Sequence, residues 1–147
     1  MAPTIPIQPG MQLPGREFCP SEVQLFRFSA VSWNAHRIHY DRDYAAREGY
    51  RAPLVHSQLH GSFLCSVVTA WLGPLRGRIV RIEWRNLAPA FVGEPLVAQA
   101  CVRELREDAD LLRVELDISS RNGEGAVVAQ GTAAAIIPSS STMNNSE

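Results

Sequence analysis

Residues 59–72 read Leu-His-Gly-Ser-Phe-Leu-Cys-Ser-Val-Val-Thr-Ala-Trp-Leu, the most apolar stretch of the chain. Phe63, Leu64, Val67, Val68, Trp71 and Leu72 alternate with the small Gly61, Ser62, Cys65, Ser66 and Ala70. A helix apolar on nearly every face must be buried, and its small residues let a sheet approach closely. Gly73-Pro74 stops it.

Working outward from that helix, the period changes from helical to two. Residues 78–87 place Ile79, Arg81, Glu83 and Arg85 on one face and Val80, Ile82 and Trp84 on the other. After a turn region at 89–95, three further strands follow at 96–104, 111–119 and 126–137, joined by polar turns at 106–110 and 121–125. On the N-terminal side, residues 23–28 alternate weakly and read as a short strand. Residues 41–48 read as a short helix with Asp41 as N-cap, Asp43 in the first turn and Gly49 as the stop. An early strand, one buried helix and four antiparallel strands predict an α+β hotdog fold, an antiparallel curled sheet wrapped around a central helix. The open edges of such a sheet predict a homodimer or higher homo-oligomer.

The ends differ from this middle. Residues 1–20 carry Pro3, Pro6, Pro9, Pro14 and Pro20 and read as an extended arm over the surface or over a neighbouring subunit. Residues 21–137 form the single domain, and residues 138–147 are Ser/Asn-rich and read as a disordered tail.

Composition narrows the chemistry. The chain has 147 residues, 46% hydrophobic and 20% charged, with a net charge of −1, which speaks against general attraction to nucleic acid or an anionic membrane. All 14 basic residues are Arg, so a Schiff-base lysine, a phosphate-binding Gly-Lys loop and a Ser-Lys pair are excluded within it. The three cysteines are widely spaced and suggest neither a disulfide framework nor a Cys-x-x-Cys site. Without a secretory pattern at residue 1 or an apolar run of spanning length, the expected location is the cytoplasm.

The chemistry-bearing stretch is Trp33-Asn-Ala-His-Arg-Ile-His-Tyr-Asp41, followed by Leu54-Val-His-Ser-Gln-Leu59. Across roughly residues 20–137 the chain resembles the MaoC-like (R)-specific enoyl-CoA hydratases and dehydratases. It is most like the branch of type 2 hydroxyacyl-thioester dehydratases and mesaconyl-CoA hydratase-like proteins. The family signature is an Asp and, five positions on, a His, which hold a water over the double bond of a 2-enoyl thioester. The resemblance places the His at His39 and the Asp position at Asn34, a departure from the signature. Asn orients a water but takes no proton at neutral pH, so acid/base work falls on His39, whose ordinary pKa is about 6.5.

The resemblance also implies an acyl-CoA substrate, with no cofactor, and an oxyanion site for the developing enolate. The backbone N–H groups near Ser57 and Gln58, at the start of the buried helix, are the donors expected there. The family commonly has Gly where Ser57 stands, so the size of the substrate is open. His56 reads as pocket wall or structural cap. His36 is either a supporting hydrogen-bond partner or a second acid/base. Arg37 meets a phosphate or a substrate carboxylate, or pairs with Asp41 or Asp43. A four-histidine metal site from His36, His39, His56 and His60 lacks any completing carboxylate or cysteine and is not expected. Two other readings stand beside a hydratase: a hotdog thioesterase, which needs a carboxylate that residues 57–72 do not carry, and a subunit active only with a second hotdog half.

Overall fold

The computed structural model describes residues 7–139. Its five-stranded sheet runs in the order β1-β3-β4-β5-β2, every neighbouring pair antiparallel, with β1 Arg16–Phe18, β2 Arg78–Asn86, β3 Leu96–Asp108, β4 Leu111–Asn122 and β5 Val127–Pro138. Helix α1 spans Glu22–Ser32, α2 Arg42–Arg47 and α3 Ser57–Leu72. This is the hotdog arrangement, with α3 lying in the curl of the sheet.

Helix α3 packs its Leu64, Val67, Val68 and Leu72 on Ala98, Ala100, Val102, Val114, Leu116, Ala133 and Ala135. Alanines dominate the sheet side of this contact, so the helix axis sits close to the strands and each apolar side chain meets several partners. Gly61 carries the same logic to its limit. A Cβ there would fall 2.1 Å from the Trp84 ring, so the indole of β2 lies flat against the backbone of α3. A second cluster, Leu25, Val55, Leu59, Phe63, Ala90, Leu96 and Val128, fills the N-terminal end of the helix.

Two expectations need correction. Residues 23–28 are not a strand but the body of α1. Ser21 caps it by accepting from the Gln24 N–H at 3.2 Å, Glu22 stands in its first turn, and only Leu25 and Ser29, one helical turn apart, are buried. The β-prone Val23, Phe26 and Phe28 imitate a strand pattern that the cap and the four-residue spacing override. The second correction is the parity of β2. A register shift between Ile79 and Arg81 inserts a bulge, which turns Ile79 to the core side with Ile82 and Trp84 and leaves Val80 exposed.

The early strand of the sheet is instead β1, within the Pro-rich segment. That segment runs from Ile7 beside β3 of its own chain, where Leu13 N–H donates to Ala100 O at 2.9 Å and Val102 N–H to Met11 O at 2.9 Å. At the other end Pro138 closes β5, and Ser139 N–H donates to Asp110 O. Residues 1–6 of the expected arm and 140–147 of the expected tail lie outside the described residues. No helix among the described residues is long and apolar enough to cross a membrane.

Candidate active site

Three short pieces converge where α3 begins. A 3-10 turn, Arg37–His39, delivers His39, which is 9% exposed. Its Nδ1 lies 2.8 Å from the carbonyl of Leu54, in the segment that leads into α3. A carbonyl only accepts, so Nδ1 carries the proton and Nε2 keeps its lone pair. Nε2 has no protein partner among the described residues. Burial holds the His39 pKa below its ordinary value. The Leu54 bond works against that shift, and His36, whose ring centre lies 6.2 Å away, adds to it. The outcome is a neutral, buried imidazole with a free base on one edge.

The flat face of His39 meets His56, ring centres 3.8 Å apart and planes 17° from parallel. His56 stands at the N-cap position of α3, but its side chain makes no capping bond. The capping alternative is thus set aside: its Nε2 points instead to Ser29 Oγ of α1, at 2.8 Å, and its Nδ1 is buried without a partner. Burial first, and the neighbouring His39 second, push the His56 pKa down to about 4.

Ser57 and Gln58 form the exposed first turn of α3, and their backbone N–H groups have no protein acceptor among the described residues. They lie one and two residues beyond the His39–His56 stack. A helix start with free N–H groups is a place for negative charge.

Asn34 is half-buried, just after the left-handed Trp33 that ends α1. Its Oδ1 accepts from the His36 N–H at 3.2 Å, which leaves the amide NH2 as the end free to face a ligand. It makes no hydrogen bond to His39. His36 is exposed, its Nδ1 accepting from the Ile38 N–H. Arg37 forms an ion pair with Asp41 at 2.5 Å and lies over the Tyr44 ring. Among the described residues no group of three or more His, Cys, Asp or Glu side chains is arranged to hold a metal ion.

The model of the family "Hydroxyacyl-thioester dehydratase type 2" matches residues 4–92, which include α1, the His39 turn and α3. The chain belongs to that family. As a type 2 dehydratase relative, it is 36% identical over 115 residues to a mesaconyl-C(4)-CoA hydratase of Chloroflexus aurantiacus, covering 78% of this chain and 38% of that one. It thus spans little more than a third of that relative's length. It is also 29% identical over 112 residues to an (R)-specific enoyl-CoA hydratase of Aeromonas caviae, covering 74% of this chain and 81% of that protein. The hotdog fold recurs in the solved R-hydratase PhaJ1 of Pseudomonas aeruginosa, with TM-score 0.80 and 23% identity over 90% of this chain and 83% of that one.

The sequence reading of this type 2 family member named Asn34, His39, His56, Ser57 and Gln58 but did not name Ser29, which the structure joins to His56. Ser29 contributes the hydroxyl that holds His56, and its only sequence signal is a polar residue one turn from Leu25 on a helix. That signal is invisible once the segment is taken for a strand. A surface concavity of about 760 Å³ lies elsewhere. Glu83, Arg85, Gln99, Asp117 and Arg121 line it on the outer face of the sheet, and no histidine borders it. That face is laced by exposed ion pairs such as Arg81–Glu115 and Arg103–Asp117, as a solvated surface is.

Proposed function

We propose that this chain adds water across the double bond of a 2-enoyl-CoA thioester, or removes it from a 3-hydroxyacyl-CoA, with His39 as the acid/base. The observation that carries this reading is the Nδ1–Leu54 bond, which leaves Nε2 of a neutral imidazole free to take a proton. In the hydration direction, the Asn34 amide donates to the oxygen of a water whose proton points at His39 Nε2. That proton passes to His39 as the oxygen bonds to C3, and the C2–C3 π electrons move onto the thioester carbonyl. The Ser57 and Gln58 N–H groups meet the oxygen that gains charge. The His39 proton then goes to C2, which completes the addition of one water and restores the base.

The names of the two relatives support an acyl-CoA substrate, and the branch with the mesaconyl-C(4)-CoA hydratase favours a short dicarboxylic or branched acyl group. A second copy of this chain is the proposed partner. Val31 and Trp33 are 83% and 91% exposed beside the site, and Phe26 and Val23 extend the same apolar surface. A thioesterase reading finds no support, because α3 carries no carboxylate.

The test is absorbance loss at the conjugated thioester with crotonyl- and mesaconyl-C(4)-CoA, for wild type and His39→Ala. Turnover that disappears in the variant upholds the reading. A folded homodimer with no turnover on any ester, or one whose turnover the substitution spares, overturns it.

A further inference from the structure

His56 takes no part in the proposed water addition, yet it is the most enclosed polar group touching His39. A ring held only by one in-plane bond, Nδ1 to Leu54 O, still rocks about that bond. The parallel face of His56 at 3.8 Å supplies the missing out-of-plane restraint. His56 is in turn fixed on two sides, by Ser29 Oγ at 2.8 Å and by the Phe28 ring at 4.8 Å, both from α1. Its buried Nδ1 has no partner, and a proton there would be an orphan donor. The proton therefore belongs on Nε2, donated to Ser29 Oγ.

We propose that His56, anchored by Ser29, is a positioning residue: its neutral ring fixes the plane of His39 and keeps water from that face, so that His39 meets the substrate as a free base. The proposal rests on the acid/base reading of His39 given above. The surroundings agree with it. From the 3-10 turn His36 approaches edge-on at 6.2 Å, and the Arg37–Asp41 pair neutralises itself in solvent. From α3 the next inward polar group is His60, which burial also pushes down to about 4. From α1, Ser29 and Phe28 face the stack. No carboxylate contacts either ring among the described residues, so nothing there draws a proton onto them.

The experiment is an NMR titration of the His39 imidazole in wild type, His56→Ala, His56→Phe and Ser29→Ala, paired with the pH dependence of kcat/KM. His56→Ala opens the His39 face to water, so its midpoint rises toward the ordinary value of about 6.5, and the acid limb of the rate profile moves up with it. In that variant kcat falls roughly 10- to 100-fold while KM stays within about threefold, the mark of lost orientation rather than lost binding. His56→Phe keeps the ring face and restores most of both, and Ser29→Ala shows a smaller shift of the same sign. Equal His39 midpoints in all four proteins, or a Phe variant as impaired as the Ala variant, would overturn the proposal. Should His56→Ala not fold, the other two variants carry the comparison. If wild type hydrates no enoyl thioester while the midpoint still follows His56, the hydratase reading fails and the positioning role stands.

Discussion

From Leu64 onward α3 offers the sheet Leu64, Val67, Val68 and Leu72, each at most 1% exposed and each apolar. At its start the same helix buries His56 and His60 just as deeply, each with a ring nitrogen that meets no partner. Leaving a polar atom buried and unpaired costs about 1–3 kcal/mol, which a leucine at the same place would not. The apolar turns satisfy every local rule for a core helix. The first turns break those rules at the point where His39 docks. Such local violations inside an otherwise consistent element mark the places kept for chemistry rather than stability.

The contrast predicts opposite responses to substitution at the two ends. The largest effect on activity is expected at the site: His39→Ala lowers the hydration rate by about 10²- to 10⁴-fold, the range of a lost general acid/base, with a smaller drop in the unfolding midpoint than a core truncation causes. Activity assays beside thermal unfolding check both halves of that statement. Leu64→Ala does the reverse. It destabilises the fold by about 2–5 kcal/mol, read by urea unfolding, while the protein that remains folded keeps its turnover.

A third prediction separates the ends by pH. His56 and His60 have folded pKa values of about 4, below the unfolded value of 6.5. Between these limits the unfolded chain binds more protons than the native one. Their contribution is therefore complete above pH 6.5 and declines as the pH falls toward 4, by at most about 1.4 kcal/mol per pH unit for each imidazole. Replacing His60 with Leu flattens that slope in urea titrations run across the window; an unchanged slope would show that His60 is not the buried neutral group described. The smallest effect belongs to Arg37→Met. Its ion pair with Asp41 is exposed, so the unfolding midpoint stays in place. KM stays as well; a rise in KM would show that the side chain reaches the substrate.

What the sequence made legible follows the same division. The strands β2 to β5 and helix α3 could be read because their periods and Gly/Pro punctuation agree with their final environment. Helix α1 could not, because its Val23, Phe26 and Phe28 carry a strand's composition, and only Leu25 and Ser29 reach the interior. The bulge in β2 is a one-residue shift that alternation alone does not reveal. At the site, Asn34 and His39 came from resemblance, five residues apart in one segment. The stack of His39 on His56 and the Ser29 bond join residues 17 and 27 positions apart, a closure set by how α1 and α3 pack. No local pattern encodes it.

The bulge at Ile79–Arg81 has a consequence beyond the parity of β2. That strand is an edge of the sheet, paired on one side with β5. A flat rim accepts any extended segment in any alignment, which is how cross-β growth starts. Here the kink divides the rim, and Arg78, Arg81, Glu83 and Arg85 stud it with charge. An arriving strand would meet both the kink and these charges, two of the features by which edge strands resist indiscriminate pairing.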